Sequence, residues 1–132
     1  MDLEHLIGLE RTVETVVDPS STASAVGSGG VDVLATPSMI LLFEQAARDA
    51  VQPALPEGYT TVGTAVNVQH LSATPVGGKV TVRAVVEKVD GRRIHFRVTA
   101  VDRHGTAGRG THERFAVNLK KFMEKLSSRN SD

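Results

Sequence analysis

The chain has 132 residues, 40% of them hydrophobic, with 15 Lys+Arg balanced by 15 Asp+Glu and no cysteine. That length supports one compact domain with a real core, and the zero formal net charge argues against a nucleic-acid or membrane-surface role driven by bulk charge. The lack of cysteine excludes disulfides, thiolate metal sites and a cysteine nucleophile, and fits a reducing cytoplasm, the expected location.

Residues 1–5 are acidic and carry no long apolar run, unlike a signal peptide. The longest apolar run, residues 39–43, is far too short to span a bilayer. Residues 9–17, rich in Val and Thr and ended by Asp18-Pro19, read as a first strand. The small-residue stretch 20–30 follows, with a short strand expected over residues 22–26 and a flexible loop over 27–30. A loop placed just before a candidate site can cover a substrate. Thr36-Pro37 is a helix start, a capping hydroxyl followed by proline at the first helical position. The helix should run to Val51 or Gln52 and stop before Pro53. Its residues Met39, Ile40, Leu41, Leu42, Phe43, Ala46, Ala47, Ala50 and Val51 are too apolar for a one-sided surface helix, which predicts burial on most of its circumference.

Four strand-like runs come next, over residues 60–71, 79–89, 92–102 and 109–119. Period-two alternation predicts one buried face in each: Val62, Val66, Val68 and His70; Val80, Val82, Ala84 and Val86; Ile94, Phe96, Val98 and Ala100; Phe115 and Val117. A two-residue Asp90-Gly91 turn would set Val86 opposite His95 and mix the faces. A three-residue loop, Val89-Asp90-Gly91, sets Val86 opposite Ile94 and Ala84 opposite Phe96, and is the expected connection. Leu119, Phe122, Met123 and Leu126 have helical spacing and predict a terminal amphipathic helix, with packing as its role and a partner contact as the alternative. The expected architecture is α+β: one long helix packed on an antiparallel sheet of about five strands, in a single domain over residues 1–132. A small sheet cannot hide a helix that is apolar all round, and a second copy of the chain is the simplest cover. Near-zero charge also lowers the barrier to self-association.

At Ala35-Thr36, Glu44, Val62-Gly63-Thr64-Ala65, Val68-Gln69-His70, Ala73-Thr74-Pro75 and Gly110-Thr111-His112-Glu113-Arg114 the chain resembles the fluoroacetyl-CoA thioesterase family, from Val33 to Phe122 and without a gap. The resemblance implies a hot-dog fold, a long helix wrapped by a curved antiparallel sheet. It implies acyl-CoA thioester hydrolysis by a homodimer without metal or cofactor, and a dimer or a higher oligomer remains open. It places the family's catalytic threonine, glutamate and histidine on Thr36, Glu44 and His70, its oxyanion-side glycine on Gly63, and an arginine near bound substrate on Arg114. Two departures stand out. The family's fluoroacetyl-specific enzyme has an aromatic lid ahead of its threonine, whereas residues 26–34 here contain no aromatic residue, which argues against strict fluoroacetyl specificity. Pro37 stands where that enzyme has glycine and removes one backbone N–H from the helix start.

Each candidate also has an ordinary structural reading. Thr36 can be a helix cap alone, and Gly63 a bulge or a close helix contact. Glu44 lies among Leu41, Leu42, Phe43, Ala46 and Ala47, which predicts burial, with Arg48 four positions on as a possible ion-pair partner. A lone His70 on a core face is a common satisfied residue, but Glu44 as partner shifts the balance to chemistry. His112 and Arg114 share a strand face and can be a solvated or interface pair. The other histidines, His5, His95 and His104, read as surface or loop residues, and five histidines without convergent spacing make no metal site.

Thioester hydrolysis requires a nucleophile at the carbonyl, a donor for the oxyanion and release of a thiolate. Glu44 can serve as general base or as nucleophile, His70 can orient water and move protons, and Gly63 N–H with Thr36 can face the oxyanion. Thr36 and Glu44 are eight positions apart, a rise of about 12 Å on one helix, so they cannot cooperate directly within it. Either Thr36 sits off the helix end or a site draws on two subunits. The alternatives to hydrolysis are a non-catalytic acyl-CoA or acyl-ligand binding module and a hot-dog hydratase.

Overall fold

The computed structural model describes residues 1–130. Five antiparallel strands form one sheet: β1 (Glu10–Val16), β2 (Tyr59–His70), β3 (Lys79–Asp90), β4 (Arg93–Asp102) and β5 (Gly105–Asn118), in the order β1-β3-β4-β5-β2. Three helices accompany them, α1 (Ala23–Val26), α2 (Thr36–Val51) and α3 (Leu119–Arg129). The expected α+β architecture is present, with α2 lying against the sheet.

The predicted core faces of β3 and β4 are the observed ones. Val80, Val82, Ala84, Val86, Ile94, Phe96, Val98 and Ala100 are all buried, against Met39, Phe43, Ala46, Ala47 and Val51 of α2. Leu6, from a one-turn 3-10 helix at residues 4–6, and Leu3, which precedes it, close the same core. The β3–β4 turn differs from expectation. Asp90 pairs with Arg93, leaving Gly91-Arg92 as a two-residue turn with Gly91 at φ +61°. The faces are restored by a bulge at Glu87, so Val86 meets Phe96 and Ala84 meets Val98. An extra residue in a strand corrects parity as well as an extra loop residue does.

Four further expectations are corrected. Residues 22–26 form no strand: Thr22 Oγ1 accepts from Ala25 N at 3.3 Å and caps α1, which Gly27 ends at φ +81°. A hydroxyl cap, small residues and a left-handed glycine favour a helical turn. In β5 the inner face carries His112, Arg114 and Ala116, all buried, while Phe115 is half-buried on the opposite face beside buried Val117. The stripe on α3 is not packed away: Leu119, Met123 and Leu126 are exposed. Helix α2 is likewise buried on one face only, with Leu41 54% exposed.

Gly108 and Gly110 set the approach of β5 to β2 and α2. A Cβ on Gly108 would meet the sulfur of Met39, and one on Gly110 would run into the Asn67 carbonyl and lie 2.6 Å from Val68 Cα. Backbone cannot rotate away as a side chain can. Gly110→Ala should therefore destabilise the fold by about 3 kcal/mol, the upper part of the overpacking range, read as a lowered Tm. An unchanged Tm would show that the strands can separate without cost.

Candidate active site

The chain enters α2 at Ala35, whose backbone is extended (φ −69°, ψ 146°) and whose carbonyl accepts from Met39 N at 3.0 Å. Ala35 is thus the cap position, Thr36 the first helical residue and Pro37 the second, a correction to the expected threonine cap. The Thr36 hydroxyl is free for another bond, and its Oγ1 lies 2.7 Å from Nδ1 of His70, the last residue of β2. His70 Nε2 is buried and has no hydrogen-bond partner among the described residues. Buried ring nitrogens seldom stay unpaired, so this atom marks an open hydrogen-bonding position. Two tautomers fit: a Thr36 hydroxyl that donates leaves Nε2 carrying the proton, and one that accepts leaves Nε2 as a base. Thr36 and His70 line a cavity of about 360 Å³ together with Val31, Val33, Leu34 and Leu71.

Glu44 lies two turns further along α2. Its side chain is 40% exposed, against the expectation of burial, because it faces the β2 edge of the sheet rather than the core. Arg48 does not pair with it but with Asp49, at 2.9 Å. The nearest cation is Arg114 Nη1, 3.9 Å from Glu44 Oε2. Opposite stands Gly63. A Cβ there would lie 3.2 Å from Glu44 Oε2, 3.4 Å from Arg114 Nη1 and 3.5 Å from His112 Cε1, so glycine is the residue that lets these three groups converge.

A bulge at Thr64 builds this arrangement. Gly63 pairs with Arg114, Ala65 with Glu113, and Thr64 is the extra residue. Its hydroxyl is anchored on Glu113, 3.1 Å from the carbonyl and 2.7 Å from the carboxylate. Before the bulge the odd residues Thr61 and Gly63 face inward, and after it the even residues Val66, Val68 and His70 do, opposite inward-facing His112, Gly110 and Gly108. Both Gly63 and His70 thereby reach the helix side of one strand.

Arg114 is only 6% exposed. Its Nε donates to Thr61 Oγ1 at 2.7 Å and its Nη2 to the Thr61 carbonyl at 3.1 Å, while Nη1 lies 3.2 Å from His112 Nε2. Burial lowers the Arg114 pKa from its usual value, and the Glu44 carboxylate opposes the shift.

The structure thus brings Thr36 to His70, and Glu44 to Gly63 and Arg114, but does not bring the two groups together. Two residues of the second group were not singled out by sequence as site residues. His112 was visible as a face-mate of Arg114, whereas Thr61 was hidden by the bulge, which reverses the parity of β2. A larger cavity of about 600 Å³ lies between the 74–78 turn and the β4–β5 hairpin. There the Thr74 hydroxyl donates to buried Asp102 at 2.7 Å, and none of the expected site residues takes part.

Chemically, the first group offers a hydroxyl and an imidazole beside a small cavity. The second offers a carboxylate held near a buried cation. This inventory agrees with what known proteins of similar sequence and shape are. The family model for the fluoroacetyl-CoA-specific thioesterase matches residues 17–120. A fluoroacetyl-CoA thioesterase from Streptantibioticus cattleyicolor is 44% identical over 95 residues, covering 72% of this chain and 68% of that protein. A solved structure of the fluoroacetyl-CoA thioesterase FlK superposes with a TM-score of 0.86 at 37% identity, over 94% of this chain and 96% of that one. A hot-dog-like protein from Thermanaerovibrio acidaminovorans reaches 0.93 at 26% identity, covering 100% and 99% of the two chains. A thioesterase superfamily member from Thermus thermophilus reaches 0.84 at 34% identity, covering 93% of each. With a hot-dog fold and a family model spanning most of its length, the chain belongs to the fluoroacetyl-CoA-specific thioesterase family.

Proposed function

We propose that this chain hydrolyses small acyl-CoA thioesters, working in the cytoplasm as a single-domain homodimer. The observation that carries the reading is the 2.7 Å contact between Thr36 Oγ1 and His70 Nδ1 at a small, mostly apolar cavity, in a chain of this family. Glu44 removes a proton from the attacking water or attacks the carbonyl itself, and Thr36 and Gly63 face the oxyanion. The C–S bond then breaks and CoA leaves as a thiolate, which takes up a proton, with His70 as the group placed to move it; on the route where Glu44 attacks, water then hydrolyses the acyl–Glu44 anhydride, releasing the acid and restoring the carboxylate. Arg114 holds a positive charge close to Glu44. Thr36 and His70 of one protomer are proposed to complete Glu44, Gly63 and Arg114 of the partner subunit. What supports this is the separation of the two groups along α2, and the exposed apolar residues that one chain leaves on α2 and on edge strand β2, Leu41 and Val66. No helix among the described residues is long and apolar enough to cross a membrane.

Release of free CoA thiol from a panel of acyl-CoAs tests the activity. Turnover of acetyl-CoA is the expected result, and saturable binding without thiol release across the panel would make the protein a binding module. The same panel tests specificity. Among the described residues no Phe, Tyr or Trp lines the cavity at Thr36, so discrimination rests on apolar contacts, which are worth about 1–3 kcal/mol per methylene-sized change. The kcat/KM ratio of fluoroacetyl-CoA to acetyl-CoA should stay within roughly 200-fold. A preference of several thousandfold would show that another element supplies the lid.

A further inference from the structure

His112 is 3% exposed and is constrained from both ring nitrogens. Its Nδ1 lies 2.8 Å from the Ala65 carbonyl, which only accepts, so Nδ1 carries the proton. Its Nε2 lies 3.2 Å from Arg114 Nη1, which only donates, so Nε2 must present its lone pair. Protonation would set an N–H against a guanidinium N–H. The ring plane is fixed as well, stacked on Phe96 with centroids 5.9 Å apart and planes 27° apart. The charged groups around it are Arg114 and Glu113 from β5 and Glu44 from α2, while β4 contributes Phe96 and β2 the Ala65 carbonyl. Burial above all, and then the guanidinium, hold the imidazole pKa below its ordinary 6.5, against the bond to Ala65 and the two carboxylates. The guanidinium is gripped on its other edge by Thr61, so the two residues together fix its direction.

We propose that His112 is a positioning residue of the thioesterase site: as a neutral hydrogen-bond acceptor it holds the Arg114 guanidinium at Glu44 and Gly63. The inference rests on the reading that Glu44 and Arg114 belong to the site. His112→Phe keeps the stack on Phe96 and removes the acceptor, whereas His112→Gln keeps a carbonyl oxygen near the place of Nε2.

In steady-state assays with acetyl-CoA, His112→Phe should lower kcat by about 10- to 100-fold, the scale of a displaced positioning contact, with less change in KM. His112→Gln should retain most of the wild-type turnover. In an Arg114→Met background His112→Phe should add nothing, because the residue it acts through is gone. Equal losses in both backgrounds, equal losses for Phe and Gln, or wild-type kcat in folded His112→Phe would each overturn the proposal. A second measurement needs no turnover. Nitrogen-15 NMR of the ring, assigned against His112→Gln, should show a protonated Nδ1 and an unprotonated Nε2 at pH 6.5. A doubly protonated ring at that pH would overturn it. Failure to hydrolyse any acyl-CoA would instead remove the functional reading and leave the ring measurement to decide the geometry.

Discussion

Thr36→Val protein and Glu44→Ala protein, each nearly inactive alone, should regain roughly a quarter of wild-type activity when unfolded and refolded together, by symmetry counting over a two-fold dimer. The expectation follows from where one protomer places its groups. Thr36 bonds His70 at the start of α2, while Glu44 meets Gly63 and Arg114 two turns on. Eight helical residues span about 12 Å, too far for the two groups to act on one carbonyl. Neighbouring α2 helices that run antiparallel across a two-fold axis would bring Thr36 of one protomer toward Glu44 of the partner subunit. In a heterodimer of the two variants, one site then carries both lesions and the other carries none. Random pairing makes about half the dimers hetero, with one of two sites intact. If a single protomer supplied all the groups, every site would keep a lesion and no activity would return. A monomeric protein in solution would remove the shared site before any mixing.

Glu44→Gln should lower turnover on the order of 10²-fold or more, the scale of losing a general base. A nucleophilic role would lose at least as much, since an amide neither attacks the thioester nor accepts the water proton. Folding should survive for a specific reason. The Glu44 side chain is 40% exposed, and its 3.9 Å contact with Arg114 is longer than a hydrogen bond. Arg114 keeps its contacts with Thr61 and His112, none of which involves Glu44. Wild-type turnover in a folded Glu44→Gln protein, with folding checked by its thermal transition, would remove Glu44 from the chemistry.

Local pattern carried most of the fold. The alternation in β3 and β4 named the core residues correctly, because a strand with one buried face writes its parity directly into the chain. The end of α2 was legible for a similarly local reason, since Pro53 cannot continue a regular helix. Resemblance named Thr36, Glu44, His70, Gly63 and Arg114, and the structure sorts these residues into two groups without uniting them.

What the chain's order could not show was set by contacts distant in sequence. The bulges at Glu87 and Thr64 reverse parity within a strand, and only the neighbouring strand reveals the reversal. Thr36 was expected to cap its own helix, yet its hydroxyl turns to His70, 34 positions away. Apolar neighbours in sequence predicted a buried Glu44, but burial depends on which face of α2 meets the sheet, and that face is chosen by Met39, Phe43, Ala46, Ala47 and Val51. By itself the sequence determined the five strands of the sheet, the long helix, the lack of a cysteine nucleophile and the residue types fit for hydrolysis, because each depends on residues near one another or on composition alone. The tertiary structure alone decided that Gly63 leaves room for Glu44, Arg114 and His112 to converge, and that Thr61 and His112 grip the guanidinium. Those outcomes depend on strand register and on packing across the sheet, which no local pattern encodes.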